Sequence, residues 1–111
     1  MDSIGSKKAG FDKALKHQAR LYKALSHPAR LAILNYLAEI KTCITGDIAD
    51  ELPLSRTTVN QHLKELRDAG LIMGTVDGVR TNYCLNAVEI EKLRKESDEF
   101  LKGIDIKTVC C

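Results

Sequence analysis

Four cysteines, three histidines and one dense run of hydrogen-bonding side chains are the parts of this 111-residue chain that could do chemistry. The cysteines are Cys43, Cys84 and the adjacent pair Cys110 and Cys111. Thiolates select soft ions, so the terminal pair could chelate one. Cys43 stands just before Thr45, the expected N-cap of a short helix, a placement that lowers a thiol pKa and favours the reactive thiolate. Cys84 falls in a predicted strand and reads as packing rather than as a ligand. The polar run begins at Ser55 and carries Arg56, Thr57, Thr58, Asn60, Gln61 and Lys64. These side chains are of short or medium reach, unlike the Glu and Lys mixture of an ordinary solvated face. Near a helix N-terminus they suit the base edges of a DNA major groove. A plain polar surface helix is the competing reading of this stretch by itself.

The totals narrow the classes. The length gives one domain with one core. A formal charge of +2 is too small to argue for nucleic acid, so any basic footprint must come from placement. The first eight residues lack the apolar run of a signal peptide, and no stretch approaches the ~20 apolar residues of a membrane span. The expected compartment is the cytoplasm, where the cysteines are free thiols rather than a disulfide framework.

The elements that must position these groups follow in order. Residues 1–10 are read as a flexible N-terminal arm, 11–104 as the folded domain, and 105–111 as a tail with the cysteine pair. Phe11, Leu15, Tyr22 and Leu25 mark a first helix whose other faces carry lysines and His17. His27-Pro28 breaks it, and Pro28 opens a second helix to about Ile40. Leu31, Ile33, Leu34, Tyr36, Leu37 and Ile40 make that helix apolar nearly all round, the mark of a central buried element. A short helix from Thr45 to Leu52, a turn at Pro53-Leu54 and a longer helix to Gly70 form a helix-turn-helix. In the longer helix Ser55 is the N-cap, Gly70 the left-handed C-terminal cap, and Val59, Leu63 and Leu66 the buried stripe, with His62 on its inner flank. Leu71 to Val76 and Val79 to Leu85 read as strands joined at Asp77-Gly78, a two-stranded wing whose tip cation is Arg80. Asn86 and Glu89 cap a last helix. Its positions Ile90, Leu93, Ser97, Phe100 and Ile104 keep heptad spacing, with Glu91–Lys95 and Lys92–Glu96 pairs outside. The fold class is mainly α with a two-stranded β-wing, a winged helix-turn-helix. In so small a domain the seam favours pairing with a second copy, the first helix completing the interface through Leu15 and Tyr22.

The chain resembles the ArsR/SmtB family of bacterial winged-helix repressors. The match runs through Lys23-Ala24-Leu25-Ser26-His27-Pro28-Ala29-Arg30-Leu31-Ala32-Ile33-Leu34, then Gly46 to Leu52, Leu54 to Leu66 and Ala69-Gly70-Leu71-Ile72. It covers roughly residues 11–101, with the motifs in order and at matching distances. The resemblance implies a homodimer on a palindromic DNA operator, released by a metal, metalloid or thiol-reactive signal. It places Ser55, Arg56, Thr57, Asn60 and Gln61 at the reading positions, with Arg56 suited to guanine and Gln61 to adenine. Lys64 and Arg80 then resemble phosphate contacts, and His62 is structural. The family's Cys-x-Cys sensor pair would fall on Cys43 and Thr45, so that site is incomplete here. Its histidine-rich zinc site has no counterpart, because the last helix has no histidine.

Other members bind arsenite through cysteines near the end of the last helix. Three thiolates suit trivalent arsenic, so the resemblance points to Cys43, Cys110 and Cys111 as the inducer site for As(III) or another thiophilic ion, with no obligatory cofactor. Two alternatives stay open. The same cysteines could form a disulfide or polysulfide bridge in a redox-sensing repressor, or the winged helix could have no effector. His17 and His27 read as surface and capping residues. A small thiol oxidoreductase or arsenate reductase would need a phosphate-type cysteine loop or a Cys-x-x-Cys unit, and neither occurs. The expectation is a DNA-binding regulator and not an enzyme.

Overall fold

The computed structural model describes residues 10–40, 44–45, 48–75 and 82–104. Cys43, Arg80, Cys110, Cys111, the 1–9 arm, the Asp77-Gly78 turn and the 105–111 tail lie outside the described residues. Helix α1 spans Lys13–Ala24, with Asp12 as N-cap accepting from the Ala14 amide. Helix α2 spans Pro28–Ile40. Strand β1 is Ile44–Thr45, followed by a 3-10 turn at Ile48–Glu51. Recognition-type helix α3 is Arg56–Asp68. Strands β2 and β3 are Ile72–Thr75 and Asn82–Leu85, and α4 is Ala87–Gly103.

Each end is fixed by its residues. The Ser55 hydroxyl accepts from the Thr58 amide at 3.2 Å and donates to the Thr58 hydroxyl at 3.0 Å, closing the N-terminus of α3. At the other end Gly70 has φ +86°. Its amide reaches the Arg67 carbonyl at 2.9 Å, and the Leu71 amide reaches Leu66 at 3.0 Å. This is a Schellman cap, which needs a left-handed residue that glycine adopts without a Cβ penalty. Asn86 accepts from the Glu89 amide at 3.4 Å and starts α4.

The two wing strands pair antiparallel, Ile72 with Leu85 and Gly74 with Tyr83. They carry a third strand. β1 pairs with the other edge of β3, Ile44 with Tyr83, so the sheet order is β1-β3-β2. This corrects the expected helix from Thr45 to Leu52. Two β-branched residues, Ile44 and Thr45, extend the chain onto an available sheet edge. Among the described residues the helical part of this stretch is the four-residue 3-10 turn Ile48–Glu51. Thr45 is therefore a strand residue and not the N-cap expected beside Cys43, which lies outside the described residues.

The core lies between α2, α3 and the inner face of the sheet. Ile33, Val59, Leu66 and Leu71 are wholly buried, with Leu21, Leu37, Leu63, Ile72 and Tyr83 beside them. Helix α2 is less enclosed than its composition suggests. Ala29, Ile33 and Leu37 are buried, whereas Leu31 stands 47% exposed on the opposite edge. On α4 the surface ion pairs are Arg94–Glu91, Lys92–Glu89 and Arg94–Asp98. The expected Glu91–Lys95 and Lys92–Glu96 are not among the ion pairs of the described residues: the Arg94 fork grips both Glu91 oxygens, at 3.1 and 2.6 Å, with Lys95 adding a weaker attraction, and Lys92 turns to Glu89.

Candidate nucleic-acid interface

Helix α3 presents two unlike faces. Val59, His62, Leu63 and Leu66 are buried against the core. Arg56, Thr57, Gln61 and Lys64 are exposed, and Asn60 is half-buried at the margin. Positions 57, 60, 61 and 64 share one side of a helix by their spacing. Ser55 and Thr58 are also exposed, but their hydroxyls bond each other in the cap. The structure therefore gathers Arg56, Thr57, Asn60, Gln61 and Lys64 on one outward row and gives Ser55 and Thr58 a positioning task. Arg80 lies outside the described residues.

His62 anchors the inner side. It is the one buried side chain of charged type among the described residues. Its Nδ1 accepts from Arg30 Nε at 3.1 Å, and its ring lies 4.3 Å from that of His27, centroid to centroid. His27 Nδ1 in turn accepts from the Ala29 amide at 3.0 Å, capping α2. Both Nδ1 atoms face N–H donors, and the neutral His62 ring therefore carries its proton on Nε2. The His62 pKa is pushed below its ordinary value, first by burial, then by His27 and by Arg30, against a smaller pull from Glu65. Arg30 extends the link, donating from Nη1 to the Lys23 and Ala24 carbonyls at 3.3 and 3.4 Å. One guanidinium thus ties the end of α1 to the inner face of α3. Sequence reasoning passed over Arg30. The only signal for it was a buried histidine that needed a donor.

The residues expected at a dimer interface divide. Leu93 is buried in the protomer's own core, and Ile90 packs against it. Tyr22 and Ser97 join α1 to α4 by a 2.8 Å hydroxyl contact, and Gln18 donates to the Tyr22 hydroxyl at 2.9 Å. Leu15, Phe100 and Ile104 remain exposed by 46%, 45% and 49%, beside Phe11 at 71% and Leu101 at 62%. Cys84 is half-buried on β3 opposite Met73. No three histidine, cysteine or acidic side chains come together as a metal site among the described residues. Nor is any helix there long and apolar enough to cross a membrane.

Comparison with known proteins bears on the same elements. A helix-turn-helix domain family matches residues 25–75, from the end of α1 to β2. The HTH-type transcriptional regulator CmtR of Mycobacterium tuberculosis is 33% identical over 92 residues, covering 83% of this chain and 77% of the relative. A solved structure described as a possible transcriptional regulator for arsenical resistance superposes with a TM-score of 0.61 at 29% identity, over 73% of this chain and 82% of its own. The chain belongs to the ArsR family of helix-turn-helix transcriptional regulators. An ArsR-like regulator from Rhodococcus sp. RHA1 has the same fold, with a TM-score of 0.67 at 24% identity over 85% of each chain. As in other ArsR-family regulators, the described elements form a DNA-binding winged helix-turn-helix, and the relatives it matches are transcriptional regulators.

Proposed function

We propose that this chain is a cytoplasmic repressor that binds a palindromic operator as a homodimer and is released by a thiol-binding inducer, arsenite or another soft metalloid or metal ion. The observation that carries the DNA half is the outward row Arg56, Thr57, Asn60, Gln61 and Lys64 on a helix whose other side is buried. In this reading Arg56 pairs with guanine and Gln61 with adenine, each bidentate contact worth ~1–3 kcal/mol of discrimination. Lys64 and Arg80 hold phosphates, and Ser55 and Thr58 set the start of the helix. The exposed Leu15, Phe100 and Ile104 pack against a second copy, which puts two α3 helices about one DNA turn apart.

Support for the inducer half is chemical. Cys43, Cys110 and Cys111 are the thiols left once Cys84 is placed on the sheet, and three thiolates suit a soft trivalent centre. The test is binding of the reduced protein to its own upstream DNA by fluorescence anisotropy, titrated separately with arsenite, cadmium, zinc and an organic polysulfide. Release by arsenite that Cys43→Ser or Cys110→Ser abolishes is the expected result. Release by polysulfide alone, reversed by a reductant, would move the protein to the redox class. Absence of DNA binding at low salt would sink the repressor reading itself.

A further inference from the structure

A cleft of about 210 Å³ opens between the last turns of α1 and α3 and the first turn of α2. Its lining cations are Arg20 and Lys23 from α1 and Arg30 from α2, its lining carboxylates Glu65 and Asp68 from α3, and Ala24 and Ala69 complete it. Opposite charges that line one cleft could pair. Here they do not: among the described residues the one ion pair made by any of the five is between Asp68 and its chain neighbour Arg67, at 3.8 Å. Arg30 is instead occupied by His62 and by the carbonyls of Lys23 and Ala24.

We propose that this cleft binds a small zwitterion, a free α-amino acid or a molecule with the same ammonium and carboxylate pair. A simple anion would meet Glu65 and Asp68, and a simple cation would meet Arg20, Lys23 and Arg30. Only a ligand carrying both charges answers both sets. The carboxylate belongs against the three cations. The ammonium belongs against the carboxylates, at the C-terminal end of α3, where the helix dipole also favours positive charge. The volume, about seven waters' worth, suits an amino acid with a short side chain. Bound there, the ligand bridges α1 to α3 and draws on Arg30, whose other bond holds His62 on the inner face of α3. A second route for moving that helix follows, independent of the cysteines. This consequence for DNA rests on the regulator reading, whereas binding itself does not.

The test is a titration of the full-length protein with glycine, alanine and serine, followed by amide and arginine Nε–H NMR shifts. Sodium acetate, methylammonium chloride and inorganic phosphate at matched ionic strength are the controls. The expected result is saturable shifts at Lys23 to Leu25, at Ala69 and Gly70, and at Arg30 Nε with the amino acids, and none that saturate with the controls. Arg20→Gln and Glu65→Gln, both on exposed side chains that leave the core intact, should each weaken binding roughly two- to five-fold. Failure of all three amino acids to give a saturable shift, or equal shifts from acetate and methylammonium, overturns the site. Saturable shifts with unchanged operator affinity would keep the site and refute its control of DNA binding.

Discussion

Replacing Arg30 by Met tests whether the guanidinium holds α3 through His62. The substitution removes the donor to a buried ring nitrogen at 3.1 Å and two longer contacts to the end of α1. A buried acceptor without its donor costs about 1–3 kcal/mol, and the long, more exposed contacts add little. At a fixed protein concentration, near pH 8, the urea midpoint should fall by roughly 1 M. The penalty should depend on pH. His62 has a folded pKa below its ordinary value, through burial first and then His27 and Arg30. Its neutral form therefore contributes stability that is present above the unfolded value and lost as pH falls through the folded one. Without Arg30 the folded value climbs back toward ordinary, so the variant loses less on acidification. The gap between wild type and Arg30→Met should narrow between about pH 8 and pH 5.5. Arg30→Lys keeps the charge without the fork, so it should keep the wild-type slope while losing stability. Urea unfolding at several pH values, with the His62 ring proton followed by NMR, reads both quantities. A gap that stays constant or widens as pH falls would refute the linkage, and no destabilisation near pH 8 would refute the tie itself.

Three further outcomes follow from other elements. Gln61→Ala should relax preference at one operator base pair, whereas Lys64→Ala should weaken all sequences alike and flatten the salt dependence; uniform weakening by both in a competition assay would displace the reading row. Leu15→Glu, at an exposed apolar position on α1, should shift sedimentation toward monomer while leaving helical circular dichroism intact; an unchanged sedimentation coefficient argues against that face. Gly70→Ala should cost about 1–2 kcal/mol from φ +86° alone, because the nearest atom to an added Cβ is Glu89 Cγ at 3.9 Å. Gly70→Asn should recover part of that in thermal melts, and an Asn variant worse than Ala would show that space, not backbone conformation, sets the cost.

The fold was legible wherever a local rule had no tertiary competitor. Ser55 and Gly70 bounded α3 because each satisfies end groups by itself, and Val59, Leu63 and Leu66 turned inward as their spacing requires. Thr45 failed as a cap because an extended dipeptide can be claimed by a strand elsewhere, and nothing near it in sequence announces β3. The heptad on α4 was real as a stripe but silent about its partner: Leu93 went to the core and Phe100 to the surface. Of the candidate interface, the outward row could be read from residue types. The Arg30–His62 link and the cleft beside it could not, since both join residues more than thirty positions apart.

The third strand has a consequence for how this molecule comes apart. β2 and β3 are near neighbours in the chain and close a small loop, whereas Ile44 and Tyr83 meet only after α3 and β2 are in place. Long loop closure costs entropy that two residues of ladder repay poorly. β1 is therefore the last element to dock and the first to leave, a sub-global opening well below the free energy of full unfolding. Amide exchange at Ile44 and Thr45 should run orders of magnitude ahead of that at Leu63. Each opening would bare one edge of β3 while the recognition helix stays folded.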